Sequence, residues 1–521
     1  MFRRNIYKWH RWVSVIVAVP VLLWAVSGFL HPVMTNVRPQ IASQVLPVER
    51  IDSGYIKMPL AQVLKQNGID SLYSVRIIHI DTSWFYQVKT NAAGRLEYFS
   101  ALNGNRLKRG DWLYAQYLAK YFLEGVKHDS LTIHKQKPAN EPVSQDCCDA
   151  ATDCVMNASG AEVANVALVT EFNEEYKPNN RLLPVYCVSF NRPDGIRIYV
   201  ETGQSRFSAA IDDKRALFTR FFSLVHTWGW LSFLGPGRLI VEVVLMLLSL
   251  ATTIMGLYIF FISKAPQANS NGIGKARRRH RFTALLASLF TLMFSISGGW
   301  HVLSHFTEEK AAVTKQYGLP ASDVKINLEQ WQTFAKGKLS NIGLAYIEGK
   351  FYWQLYLMPE FTGPTGKDLM TSRSVAAKPV MYIDSYDNTV LPVGDETYAR
   401  SLAAALSGYK RSEQVAAVPV TKFNSEYSFI DKRLPVWRID YGNKVFYIET
   451  STATLAKKLT ASGRYEERCF AFLHKHHFMD FAGKAWRDGS TMLGAGLQIL
   501  MVVVGLILYF RWRNRKRRPV V

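Results

Sequence analysis

Carboxylates are missing from three stretches of this 521-residue chain. Residues 1–11, 263–281 and 511–521 carry four, six and six Lys/Arg and no Asp or Glu. Each stretch flanks an apolar run, so the net charge of +22 reads as the positive-inside pattern of a membrane protein and excludes nucleic acid as the partner. Nucleotide-binding and serine-hydrolase classes are excluded as well, because the chain lacks a Walker loop, a dinucleotide-binding glycine fingerprint and a nucleophile elbow. Cysteine is scarce, with five residues in all. Length alone points to several domains. A hydrophobic content of 48% with mean hydropathy near zero mixes apolar spans with ordinary soluble segments.

Four spans are expected, at about Trp12–Leu30, Leu239–Ile262, Phe282–Val302 and Met492–Phe510. The expected order along the chain begins with a cytoplasmic start and first span at 1–32, an external α+β region at 33–236, and a second span at 237–262. A basic cytoplasmic loop at 263–281 leads to a third span at 282–303, a second external α+β region at 304–489, a fourth span at 490–511 and a basic tail at 512–521. Both termini are then cytoplasmic. The first span has the basic start and apolar length of a signal peptide, but a copy of it recurs inside the chain, so it reads as retained.

That copy is the chain's main signal. Lys8-Trp9-His10-Arg11-Trp12, an apolar run and Ser27-Gly28-Phe29-Leu30-His31 return as Arg279-His280-Arg281-Phe282, an apolar run and Ser297-Gly298-Gly299-Trp300-His301. A helix rises about 1.5 Å per residue, so the 21-residue step between the two histidines of each copy spans roughly 30 Å, the thickness of a bilayer's hydrocarbon core. One histidine sits at each membrane face. Gly28 and Gly298 precede His31 and His301 by three positions and are expected to leave space beside each ring for a flat ligand such as haem.

The external regions repeat too. Thr170-Glu171-Phe172-Asn173, Tyr176 and Arg181-Leu182-Leu183-Pro184 return as Thr421-Lys422-Phe423-Asn424, Tyr427 and Arg433-Leu434-Pro435. Phe222 through His226 returns as Phe470 through His474. A helix over Met58–Gln66, strands at Ser74–His79, Trp84–Val88 and Leu96–Ser100, and a helix at Asp111–Phe122 follow from periodicity. Residues 126–165 lack periodicity and read as an insertion. Cys147, Cys148 and Cys154 lie in it and are expected to form a disulfide, with Cys187 as a further partner, or a metal-binding loop. The fold class expected is therefore an α-helical membrane protein: a four-helix transmembrane bundle from an internal duplication, with extracytoplasmic α+β domains.

The Lys-x-His-Arg-Trp start, the Ser-Gly-x-x-His end, the strand units closing on Glu201-Thr202-Gly203 and the span after Phe-x-x-x-His resemble the PepSY-associated transmembrane helix family. The second strand end reads Glu449-Thr450-Ser451 and departs from that pattern. The resemblance implies a bacterial inner-membrane protein similar to ferrisiderophore reductases, with haem in the bundle and electrons passed outward.

Neutral imidazoles fill both axial positions of haem iron and favour electron transfer over oxygen chemistry. His10, His31, His280 and His301 are the expected iron ligands, with His226 and His474 as further candidates, and one to three haem b groups are expected. No Cys-x-x-Cys-His occurs, so covalent haem is excluded. Arg11 and Arg281 fit either haem propionates or plain membrane anchors. Zinc at His474, His476 and His477 is the minor alternative. Glu242, inside the second span, reads as a proton-moving group or a snorkelling one. Partners expected are the lipid bilayer, a cytoplasmic reductase or quinol as donor, and a ferric siderophore or other metal chelate as acceptor. The competing classes are a membrane-anchored regulatory module, acting for instance on proteases, and an accessory of iron uptake.

Overall fold

The structure, a computed structural model, describes residues 2–125, 161–264, 266–267, 272–304, 315–358 and 379–516. Cys147, Cys148, Cys154 and the readings built on them lie outside the described residues. The chain opens with α1 (Phe2–Asn36), α2 (Leu60–Gln66), strands β1 (Ser71–Leu72), β2 (Ser74–Ile80), β3 (Ser83–Lys89) and β4 (Leu96–Ser100), and α3 (Gly110–Glu124). It continues with β5 (Val163–Val169), β6 (Val185–Phe190), β7 (Arg197–Glu201) and β8 (Arg206–Ile211), then α4 (Asp213–Val225), α5 (Gly237–Ile262) and α6 (Gly272–Ser304). The second half follows the same plan: β9 (Leu319–Pro320), α7 (Leu328–Phe334), β10 (Leu339–Ile347), β11 (Lys350–Leu357), β12 (Val380–Asp384), β13 (Val390–Leu391) and α8 (Gly394–Ser407). It ends with β14 (Ala416–Val420), β15 (Val436–Asp440), β16 (Lys444–Glu449), β17 (Thr454–Thr460), α9 (Ala461–Cys469) and α10 (Lys484–Lys516).

These elements form two compact units, one of residues 1–38, 215–310 and 461–521, the other of 39–214 and 311–460. In the first, four helices are long and apolar enough to cross a membrane: α1, α5, α6 and α10. α1, α6 and α10 are longer than the expected spans because basic turns extend them, while α5 keeps close to its expected bounds. α1 and α6 each pack on both α5 and α10, closing a ring of four in which α1 matches α6 and α5 matches α10. Val17, Ala18, Val21 and Val502 form an apolar cluster inside it. Gly494 admits the Phe290 ring against the α10 backbone; a Cβ there would come within 2.5 Å of Phe290 Cδ1.

Residues 215–236 and 461–489, expected in the external regions, pack with the helical unit. Their helices α4 and α9 each run on toward α5 and α10 through one-turn 3-10 segments, Gly229–Leu234 and His477–Ala482. The insertion is shorter than expected at its far end, since β5 begins at Val163.

The second unit unites both α+β regions in one body. Its sheets are antiparallel, in orders β2-β3-β4, β5-β6-β7-β8, β10-β11-β12-β13 and β14-β15-β16-β17, and a ribbon pairs β1 with β9 across the halves. One core mixes Leu60, Val63, Leu64 and Val75 of the first half with Leu319, Trp331, Leu339 and Trp353 of the second, all fully or nearly fully buried. Full burial of a Leu or Val side chain stabilises by about 1.5–3 kcal/mol, so this shared core holds the two halves to each other. The duplication is also visible in polar detail. Gln87 Nε2 donates to Tyr98 Oη, which donates to Asp111; Gln354 Nε2 donates to Tyr382 Oη, which donates to Asp395.

Candidate functional site

At the end of the helical unit where α1 and α6 finish, six rings stand in a row. His31 lies 5.4 Å from Phe222, and Phe222 stacks on His226 at 4.3 Å. His226 faces His474 at 6.3 Å with the planes crossed at 83°. His474 stacks on Phe470 at 4.5 Å, and Phe470 on His301 at 4.3 Å. The row is palindromic: His, Phe, His, then His, Phe, His. Its outer members come from α1 and α6, and its inner members from the segments leading into α5 and α10. A pair four residues apart on a helix shares a face, which is why Phe222 with His226, and Phe470 with His474, stack within each half.

The hydroxyls of the Ser-Gly motif fix the central rings. Ser27 Oγ donates to the Leu23 and Trp24 carbonyls, so it accepts from His226 Nδ1 at 2.9 Å. Ser297 Oγ donates to the Met293 carbonyl and accepts from His474 Nδ1 at 3.2 Å. With Nδ1 protonated and occupied, a neutral imidazole has its lone pair on Nε2, the form that ligates a metal. Burial, and secondarily the charge of His31, push the His226 pKa down to about 4; burial first, then neighbouring His226, holds His474 well below its ordinary value. Both rings are neutral at neutral pH.

At the opposite end the same arrangement recurs with fewer rings. His10 Nδ1 donates to the Thr252 carbonyl at 3.2 Å, and a Cβ on Gly256 would come within 3.2 Å of His10 Cε1. Its counterpart His280 lies beside the backbone of Met501, and a Cβ on Gly505 would come within 3.1 Å of His280 Cε1. His280 Nδ1 is buried without a hydrogen-bond partner. Each of these glycines therefore makes room for an imidazole of a neighbouring helix.

The sequence left the pairing at this end open among His31, His301, His226 and His474, and the ring row brings His226 and His474 together at its centre. Beside Gly28 and Gly298 there is ordinary van der Waals room: a Cβ on Gly28 would meet Ala495 at 4.0 Å, and one on Gly298 would meet Met246 at 3.5 Å and His474 at 3.8 Å. The glycines that make room for histidines are Gly256 and Gly505. The zinc alternative at His474, His476 and His477 gains no support. Among the described residues no group of three or more His, Cys, Asp or Glu could hold a metal ion.

The two arginines are engaged at matching positions of the neighbouring helices. Arg11 stacks over Trp512 at 3.8 Å, while Arg281 donates to the Phe260 carbonyl at 3.0 Å and to Ser263 Oγ. Glu242 is buried, 3.6 Å from Arg238 one turn earlier. Cys187 and Cys469 are free thiols.

Glu466, which the motif reading passed over, and His476 break the symmetry. Glu466 Oε1 lies 2.7 Å from His301 Nδ1, and Phe218 occupies the matching place in the first half. His476, fully buried, stacks on Phe294 at 5.4 Å, as Trp228 stacks on Trp24 at 5.3 Å. The signal for Phe222, Phe470, Gly256 and Gly505 was present, as recurrence between halves.

Haem requires one or two axial imidazoles from the chain, and the residues fit it. His226 and His474, with ring centroids 6.3 Å apart and both Nδ1 atoms on serines, are the residues that would hold it at the ring-row end. His10 and His280, each against a glycine of a neighbouring helix, would hold a second. No family model matches this chain, and no curated protein matches it.

Proposed function

We propose that the protein is a haem-b electron-transfer protein of a bacterial inner membrane. In this reading it is a reductase that accepts electrons from a cytoplasmic reductase or a quinol at the His10/His280 end. It delivers them at the His226/His474 end to an external ferric siderophore or other metal chelate. The observation that supports it is the pairing of equivalent histidines at both ends of one four-helix ring, each with the same polar or glycine neighbour in both halves. Haem b bound at such pairs supplies one-electron chemistry.

The chain's own residues have definite tasks. Ser27 and Ser297 hold the tautomer and orientation of the central rings, Phe222 and Phe470 cover their faces and keep water away, and Gly256 and Gly505 leave room beside the inner pair. The basic ends of α1, α6 and α10 place the His10/His280 end at the cytoplasmic face. The motif resemblance to PepSY-associated transmembrane proteins agrees with this assignment. An absorption spectrum of the purified protein in detergent tests it: a Soret band with reducible α and β bands is expected, and their absence contradicts the reading.

A further inference from the structure

The interior of the helical ring carries a line of buried polar groups along α6 and its neighbours. Ser295, Thr291 and Ser288 of α6 fall within about 60° of one another at 100° per residue and occupy successive turns. Ser295 Oγ lies 3.4 Å from Ser249 Oγ of α5, and Gln498 Nε2 of α10 donates to Thr291 Oγ1 at 3.1 Å. Ser249, Ser288, Thr291 and Gln498 are all less than one-tenth exposed. One turn beyond Ser249, Thr252 has a buried Oγ1 without a partner, and its carbonyl receives His10 Nδ1. Two turns the other way, on the same face of α5, stands Glu242, 6% exposed, with an Oε1 that makes no hydrogen bond.

In the first half the positions matching Ser288, Thr291 and Ser295 are Ala18, Val21 and Ala25, buried and apolar. A single helical ring thus keeps one dry seam and one wet one. Polar groups in a membrane interior are costly and are kept where they line a path for ions or protons. Packing alone does not explain the seam, because Val21 and Ala25 fill the matching space without polar atoms. Hydroxyls on successive turns are about 5.4 Å apart, a gap that one water can bridge with two hydrogen bonds of about 2.8 Å. Glu242, with Arg238 as the charged group beside it, supplies an exchangeable carboxyl at the end nearer the ring row.

We propose that this seam, Glu242, Ser249, Ser295, Thr291, Gln498, Thr252 and Ser288, carries protons along the bundle. Resting on the electron-transfer reading, its role is to move one proton with each electron, so that no net charge is displaced. The proton is drawn from water at one end and released to water at the other, with only O–H bonds made and broken.

The test uses the full-length protein in potassium-loaded vesicles, with a pH dye trapped inside and valinomycin imposing an inside-negative potential. Vesicles with the protein should acidify faster than protein-free vesicles. The double variant Thr291→Val, Gln498→Leu replaces both members of a hydrogen bond, so no buried group is orphaned, and it uses at 291 the residue the first half has at Val21. It should return the rate to that of protein-free vesicles, as should the near-isosteric Glu242→Gln. The lipid-facing Leu289→Val should not. Wild-type vesicles no faster than protein-free ones, or both seam variants as fast as wild type, would overturn the proposal. The visible spectrum of the same preparations separates the two readings. Reducible haem bands without proton flux remove the seam's role alone, whereas flux without bands removes the electron-transfer role and leaves the seam a proton conductor.

Discussion

His226 and His474 stand on opposite sides of the pseudo-two-fold axis of the helical unit, 6.3 Å apart and crossed at 83°, each donating Nδ1 to a serine of the same repeated motif. Neither belongs to a membrane-crossing helix. They enter the ring from the segments that precede α5 and α10, so the central pair depends on how those segments turn.

Loss of a serine partner should weaken the central pair without abolishing the fold. Outer hydrogen-bond partners of ligating histidines are worth about 10–100-fold in metal affinity. Ser27→Ala and Ser297→Ala should each lower haem retention at this end by that order, read as the haem-to-protein ratio during detergent dilution. Ratios equal to wild type in both variants would show that the serines do not set the tautomer.

The glycines should separate by neighbour. In Gly505→Ala the new methyl meets His280 Cε1 at 3.1 Å, and in Gly256→Ala it meets His10 at 3.2 Å. Overpacking of this kind costs about 1–3 kcal/mol and should displace the inner imidazoles, removing one of two reducible components in a redox titration. Gly28→Ala, with only Ala495 at 4.0 Å, should leave both. The reverse result would restore the sequence-based assignment of Gly28.

Topology follows from the basic ends. Reporter fusions after Lys264 should read cytoplasmic, and fusions after Asn103 external. An external reading at Lys264 would invert donor and acceptor ends together.

The α+β unit has its own pH signature. Burial pushes the Lys432 amine down to about 7 from an ordinary 10.5, where Asn180 and Ser208 accept its hydrogen bonds. Between those two values the unfolded chain binds the proton that the folded one has lost, so stability rises with pH across this window. Lys432→Met should raise the thermal midpoint at pH 7 and flatten the rise toward pH 10, as followed by the unfolding of this unit. A steeper rise in the variant would contradict the assignment.

Much of this architecture was legible because it is written twice. A 270-residue recurrence of His10 and His31 located α1 and α6, and Phe222 to His226 against Phe470 to His474 located the other two ring members. Sequence periodicity could not rank them. His31 is exposed and His226 half-buried, a difference set by how α4 and α9 pack on the ring, which helical spacing within one span does not encode. Glu466 was illegible for the opposite reason: it occurs in one half only, opposite Phe218, so recurrence filtered it out, and His476, opposite Trp228, was legible only as a zinc candidate. The same filter hid the polar seam, whose meaning lies in its difference from Ala18, Val21 and Ala25.

The central claim is that one iron is shared by His226 and His474, and low-temperature electron paramagnetic resonance of the oxidised protein tests it most directly. If these two histidines hold one ferric haem, the oxidised protein should give a low-spin signal, bis-histidine in character. That signal should disappear in His226→Ala and in His474→Ala, and persist in His31→Ala and His301→Ala. A low-spin signal unchanged in the first two variants, or lost only in the last two, would contradict the account.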